Sequence, residues 1–467
     1  MPISFLRFPI ILIILSFSIS LYSQEAEETA DAFFIKAIYD QVLTSSSCYD
    51  WLDHLSTNIG GRLSGSEAAA KAVDYTKQML DTLGLSRVHL QDCMVPHWER
   101  GKPEVVYMTN KRTGIRTNLN VLALGNSIAT TSAGISGEVV EVRSLDDLEK
   151  LGEAGLKGKV VFFNRPMDPT QIRTFNAYGG AVDQRVYGPT KASKYGAVGA
   201  LVRSMTTKID DIPHTGVTVY EEGSVKIPAV AISTMNAEML SSSLKEGAVE
   251  VYIKTDCKTY EDKPSHNVIG EIIGSEFPEE IILVGGHLDS WDVGGGAHDD
   301  GAGCVHAMEV LNILTKLNYR PKRTLRCVLF MNEENGLGGG KAYAEKSNKN
   351  KEYHLAAIES DAGGFTPRGF SADGHADIFT KRYKNVTKWL PLLEPFGLSF
   401  SKGGSGADIS PLKGQKGMLF GFRPDSQRYF DYHHTGVDTI DAVNQRELEL
   451  GAAAITSLVY LIDKYGL

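Results

Sequence analysis

Four short apolar runs in the second half of the chain each lead into a polar cluster. Residues 281–284 (IILV) are followed by His287, Asp289 and the pair Asp299-Asp300. Residues 324–331 (TLRCVLFM) lead to Asn332-Glu333-Glu334-Asn335, residues 355–358 (LAAI) to Glu359-Ser360-Asp361, and residues 418–420 (MLF) precede His433-His434. Continuous apolar runs of this length predict strands buried on both faces. In open α/β sheets, sites form beyond the carboxyl ends of such strands, so clusters at successive strand ends converge in space.

Helical spacing appears between the runs. Ala307, Leu311, Leu314 and Leu317 predict an amphipathic helix over 301–318. Asp299 and Asp300 stand just before it, where carboxylates suit the unsatisfied N–H groups of a helix start. One of them can cap while the other does chemistry. Ala70, Val73, Met79 and Leu80 predict a helix over 66–83, stopped by Gly84 and preceded by a loop from Gly60 to Gly65. Residues 88–94 and 103–108 read as strands. From about 118 to 255 the rhythm changes. Short β-type runs at 137–142, 158–163, 198–202, 227–232 and 249–253 alternate with helical pieces at 145–153 and 189–195. Within that stretch Asp210, Asp211 and His214 read as loop. A strand at 265–270 opens the second half, and its His266 reads as structural.

At 467 residues, the chain predicts two domains or one domain with a large insertion. A hydrophobic content of 42% with 22% charged residues is ordinary for a globular protein. The formal charge of −9 argues against nucleic acid or an anionic membrane as partner. Residues 1–23 carry one basic residue, Arg7, and an apolar run over 9–22 too short to span a bilayer comfortably. A signal peptide cut near Ser23 is expected, with export to the periplasm or beyond the cell; an N-terminal anchor is the alternative. Five cysteines leave at least one unpaired. Cys304 and Cys327 fit core positions, whereas Cys93 and Cys257 flank the 118–255 stretch, and a bridge between them would staple its ends.

The segment HLDSWDVGGGAHDD, residues 287–300, packs two imidazoles and four carboxylates around a glycine run. Such donors just past a strand, with glycines that allow close backbone approach, suggest a metal site. Asp289 lies two residues beyond His287. In extended backbone both face the same side, so its carboxylate is expected to accept the second imidazole N–H. Asp292 and His298 read as loop residues.

Five elements, GGHLDS, GAHDDGAG, NEENG, ESDAGG and HHTGVD, resemble the co-catalytic zinc metallopeptidases, a family that includes bacterial leucine aminopeptidases and glutamate carboxypeptidases. The long form HLDSWDVGGGAHDDGAG is most similar to the plasma glutamate carboxypeptidase branch. The resemblance implies an α/β fold, with a mixed central sheet flanked by helices (the zinc exopeptidase fold) and an inserted protease-associated domain. The implied boundaries are a catalytic domain over 24–117 and 258–467, interrupted by an insert at 118–257.

The same resemblance implies two Zn²⁺ per chain. His287 and Asp361 would bind one, Glu334 and His434 the other, with Asp299 bridging and Glu333 as general base. A carboxylate has two oxygens, enough to reach metals about 3.5–4 Å apart. Two Zn²⁺, three carboxylates and one hydroxide sum to a neutral core, which can be buried. These donors suit zinc without excluding cobalt or manganese. Exchange of roles between Glu333 and Glu334 is the alternative register. His433 falls where the glutamate carboxypeptidases place a tyrosine that donates to the developing oxyanion, so it is either an oxyanion donor or a support for its neighbours. The family also implies a cis peptide bond between Asp299 and Asp300.

The function implied is hydrolysis of dipeptides or short peptides by metal-activated water. Aminopeptidase action on longer peptides is the nearest alternative, separated by which terminus the pocket neutralises; Arg368, Lys402 and Arg423 are candidates for that task. Acyl transfer of the glutaminyl cyclase type and an inactive receptor-like frame are further alternatives. The implied partners are a short peptide and a second copy of the chain, with no nucleic acid and no membrane span.

Overall fold

Alternation along the apolar runs builds the central layer. Ile281 and Leu283 pack to one side with Val328 and Phe330, while Ile282 and Val284 pack to the other with Leu325, Cys327 and Leu329. In the computed structural model, which describes the backbone of residues 8–467 and the side chains of 27–467, these runs lie inside an eight-stranded mixed sheet. Its spatial order is Arg87–Glu99, Lys258–Ile272, Arg323–Phe330, Phe277–His287, Tyr353–Glu359, Met418–Pro424, Pro367–Gly374 and Ser399–Lys402. The four strands at the middle, from Arg323–Phe330 to Met418–Pro424, run parallel. Their carboxyl ends therefore share one edge, which is where the polar clusters gather.

Helices cover both faces. Ala302–Lys316 and Gln445–Tyr465 pack together on one side, joined by Phe8–Ser45, and Gly338–Asn350 lies on the other. The helix expected over 66–83 forms as Glu67–Asp81, capped by the Ser66 side chain, which accepts from the Ala69 N–H. Among the described residues no helix is long and apolar enough to cross a membrane. The expected export segment lies outside the residues whose side chains are described.

A second eight-stranded sheet holds the strands from Val105–Asn110 to Val249–Lys254. The runs expected at 137–142, 158–163, 198–202, 227–232 and 249–253 all form strands in it, with Val160–Phe163, Gly199–Arg203 and Ala229–Ile232 buried along their whole length. The expected staple between Cys93 and Cys257 is absent: all five cysteines are free and buried. Strand register explains why. Cys93 pairs opposite Ser265, and Glu99 opposite Lys258, so Cys257 lies beyond the far end of this ladder. Six residues of strand put the two cysteines about 20 Å apart, far outside the reach of a disulfide.

Four buried histidines, His214, His298, His306 and His354, have their pKa pushed down to about 4 by burial. His306 lies between the helices Ala302–Lys316 and Gln445–Tyr465, with Nε2 2.9 Å from the Leu448 carbonyl oxygen and Nδ1 3.0 Å from Ser360 Oγ. The unfolded chain takes up protons on these rings below about pH 6.5, while the folded chain does so only near pH 4. Their contribution to stability is thus fully present above pH 6.5 and lost as pH falls toward 4. The stability difference between pH 7 and pH 5 is expected to shrink by about 2 kcal/mol in His306→Gln. Urea unfolding of the metal-free protein at both pH values measures it; an unchanged difference would contradict a neutral buried imidazole.

Candidate metal centre

His287 ends its strand, and its Nε2 stands 3.2 Å from Asp299 Oδ1 and 3.7 Å from Asp361 Oδ1. On the other side of the same carboxylate, His434 Nε2 is 3.2 Å from Asp299 Oδ2 and 3.1 Å from Glu334 Oε2. His433 Nε2 lies 3.7 Å from Asp299 Oδ2, with its ring stacked on that of His434. Asp299 Oδ2 and Glu334 Oε1 are buried with no hydrogen-bond partner. Donor atoms around a tetrahedral ion with bonds of about 2.0–2.1 Å stand about 3.3 Å from one another. Donor atoms close enough to share one ion form two groups, His287 with Asp299 and Asp361, and Asp299 with His433 and His434, and Glu334 stands beside the second.

Charge is concentrated here. Burial opposes a charge on the His434 imidazole, yet Glu334 and Asp299 beside it hold its pKa up at about 9. Burial likewise opposes ionisation of Asp299, but His287 and His434 keep its carboxyl well below the ordinary range. Burial, with Asp361 and Glu334 close by, pushes the Glu333 carboxyl well above it.

Three more buried carboxylates hold the backbone that presents these groups. Asp300 accepts the Gly303 N–H at 3.0 Å, capping the helix Ala302–Lys316, and its other oxygen accepts the His287 N–H at 3.0 Å. Asp438 accepts the N–H groups of His298 and Asp299, at 2.8 and 3.1 Å. The Asp299–Asp300 peptide bond is cis. Asp289 departs from expectation. The His287 Nδ1 is 2.9 Å from the Asp289 backbone oxygen, while the carboxylate stands 3.8 Å away. The strand has ended at His287, so the alternation of side-chain directions no longer applies. The Asp289 carboxylate turns instead to the Asn332, Glu333 and Glu334 N–H groups, at 2.7, 3.0 and 3.3 Å. Asn332 and Leu337, at φ of 73° and 60°, bracket that turn in the left-handed region.

Other side chains were less visible in the sequence. Arg62 is wholly buried and donates to the carbonyls of Leu288, Gly295 and Gly296, at 2.6, 2.7 and 3.0 Å, clamping the glycine run. Gly296 sits at φ 54°, and a Cβ there would lie 2.3 Å from that of Ser290. The loop from Gly60 was evident, but nothing in its composition announced the clamp. His298 is not a loop residue at the surface: it is buried, stacked on Phe365 and bonded to Gly364 and Ala442. Asp292 pairs with Arg100 at 2.6 Å.

His214 lies in a loop, as expected, but not an exposed one. It is buried against the site, with Nδ1 2.8 Å from the His433 carbonyl oxygen. Beside it the Thr215 carbonyl oxygen is 3.3 Å from His434 Nδ1, and the Thr215 N–H donates to the His434 carbonyl at 3.0 Å. A cavity of about 410 Å³ opens over Asp299, Glu333, Glu334 and Asp361, and its opposite wall comes from the second-sheet segment, with Phe175, Tyr178 and Arg185 among its side chains. Arg368, Lys402 and Arg423 line a different cavity.

The sequence profile of peptidase family M28 matches residues 267–459. Mouse carboxypeptidase Q is 35% identical over 441 residues, covering 93% of this chain and 89% of that protein. Among solved structures, a peptidase M28 precursor from Shewanella amazonensis SB2B superposes with a TM-score of 0.86 at 33% identity, covering 93% of this chain and 97% of the other. A zinc aminopeptidase from Bacillus subtilis shares the fold at a TM-score of 0.63 and 20% identity, covering 89% and 94%.

Arg62→Met removes three charge-assisted hydrogen bonds, two of them to the glycine run and one to the Leu288 carbonyl. It is expected to cost about 3 kcal/mol in urea unfolding and at least about tenfold in zinc affinity, read by competition with a chelator. Unchanged zinc affinity would mean that the run holds its shape without the clamp.

Proposed function

The chain belongs to peptidase family M28, and from that premise we propose that it is a di-zinc exopeptidase hydrolysing dipeptides or short peptides. The observation that carries this reading is the Asp299 carboxylate, whose two oxygens face different imidazoles at 3.2 Å each. In this reading His287 and Asp361 would hold one zinc and Glu334 and His434 the other, with Asp299 available to both. Nitrogen and oxygen donors of this kind suit zinc. Bound there, zinc supplies Lewis acidity that polarises the scissile carbonyl and lowers the pKa of water.

The remaining work falls to the protein. Glu333 accepts a proton from the attacking water and passes it to the leaving nitrogen as the C–N bond breaks, so the water oxygen ends on the new carboxyl and the amine leaves protonated. Burial, with His434 alongside, pushes the His433 imidazole well below its ordinary pKa, so it stays neutral. A neutral imidazole keeps one N–H, which serves the developing oxyanion. The second-sheet segment, whose first strand Val105–Asn110 starts ahead of the boundary expected at 118, acts as the protease-associated insert and walls the cavity against solvent.

A panel of dipeptides, N-blocked dipeptides and C-amidated peptides, assayed while zinc is titrated, tests the reading. Activity should rise to a plateau at two zinc per chain; no turnover of any peptide at that loading would end it. Glu333→Gln keeps the size and removes the proton acceptor, so kcat should fall at least about a hundredfold with metal content unchanged. Near-normal turnover would give the base role to another group. Asp299→Ala should lose zinc and activity together. Asp300→Ala should keep the zinc ligands and lose about 2–3 kcal/mol of stability, because two buried N–H groups lose their acceptor. Metal analysis and urea unfolding separate the two, and the reverse pattern would put the bridge at Asp300.

A further inference from the structure

A second cavity, of about 540 Å³, lies between the edge strands of the main sheet, Pro367–Gly374 and Ser399–Lys402, and residues 172–176 of the second-sheet segment. Phe175 lines both this cavity and the one over the metal centre, and Ala362, next to Asp361, lines this one. Four cations face it, Arg173, Arg368, Lys402 and Arg423, against one carboxylate, Asp425, which Arg368 already pairs at 2.9 Å. Arg173, Lys402 and Arg423 form no ion pair with any described carboxylate. In a chain of formal charge −9, that is a local concentration of positive charge with no counter-charge.

Arg423 is held in place by the fold. Its guanidinium lies over Gly421, two residues back on the same face of the strand Met418–Pro424, where an added Cβ would fall 2.7 Å from Nη2. Nε donates to Ser371 Oγ at 2.9 Å and Nη2 to the Gly404 carbonyl at 2.6 Å. Nη1 has no hydrogen-bond partner among the described residues and stays open to the cavity. Burial, offset only in part by Asp361 and Glu359, holds the Arg423 pKa below its ordinary value. An anion in the cavity would complete the compensation.

The donors left for a ligand are single and of mixed type. They are one end of Arg423, the Lys402 ammonium, the Arg173 guanidinium, and the Ser401 and Ser426 hydroxyls, which have no partner among the described residues. A carboxylate is matched by two nitrogens of one planar fork, and two of the three Arg423 nitrogens are already committed. A phosphomonoester carries about two charges on three acceptor oxygens, which single donors from several sides can share. The cavity is roomy enough for such a group together with the small molecule that bears it.

We propose that this cavity is a binding site for a phosphomonoester, with Arg423 as its fixed anchor and Arg173 and Lys402 closing on the phosphate from the rim. The group recognised is the same whether a free phosphorylated small molecule or a lipid headgroup supplies it. The site stands apart from the exopeptidase reading and does not depend on what the metal centre hydrolyses.

The test is calorimetric titration of the zinc-loaded full chain with glycerol phosphate, and with succinate as a dianion that lacks phosphate. Glycerol phosphate should bind at least about tenfold more tightly than succinate. Arg423→Met should weaken its binding by at least about tenfold, and Arg173→Met and Lys402→Met by about threefold each. Thermal melting confirms that each variant is folded. The two rim positions are exposed, so they carry the test if Arg423→Met does not fold. Equal affinity for succinate would overturn the phosphomonoester assignment.

Sedimentation with phosphatidylcholine vesicles, with and without phosphatidic acid, separates the two sources. Binding to phosphatidic acid that is lost in Arg423→Met assigns a lipid headgroup, and binding of glycerol phosphate without it assigns a free small molecule. Binding of neither would overturn the proposal. So would glycerol phosphate affinity that disappears from the chelator-treated chain yet is unchanged in all three variants, since that pattern places the phosphate on the metal.

Discussion

Asp299 can turn both carboxylate oxygens toward imidazoles because its backbone is held from behind by another carboxylate, that of Asp438. The same device recurs around the centre. Asp300 secures the His287 backbone and the helix that follows, and Asp289 secures the turn carrying Glu333 and Glu334. Backbone N–H groups are obligatory donors, and at the ends of parallel strands they have left the sheet ladder. Side-chain acceptors take the place of the missing strand partner. The centre is therefore a set of outward carboxylates anchoring loops and a set of inward ones left free for chemistry, and neighbours in sequence, Asp299 and Asp300, belong to different sets.

Much of this was legible in the sequence because it is local. Continuous apolar runs mark the central strands, and a polar cluster follows each, at His287, Glu333-Glu334, Asp361 and His433-His434. The ambiguity between Asp299 and Asp300 resolved as capping for one and the centre for the other, as the helix start behind them allows. Asp289 was misjudged by one step of geometry, since the alternation used to orient it stops where the strand stops. The Cys93–Cys257 staple failed for a related reason: flanking a segment in sequence says nothing of register along a ladder.

Arg62 and His214 read only as loop, and Tyr178 and Arg185 carry no reading at all, because their meaning is non-local. Each is an ordinary residue in its own segment, and only the approach of one sheet to the edge of the other gives it a role. An arginine in a short helix carries no periodic signal that it will be buried.

The contact between the Thr215 backbone and His434 bears on how the two sheets can be exchanged between related proteins. A peptide carbonyl from one segment orients an imidazole whose other nitrogen faces the carboxylates of the centre. A backbone contact of this kind leaves no trace in side-chain identity, so two relatives can carry identical donor residues and still aim that imidazole differently. Recombining the second-sheet segment of one relative with the main sheet of another would keep every donor and disturb their alignment. The seam between the segments is thus a poor crossover point, and the natural unit of inheritance is the pair of sheets together.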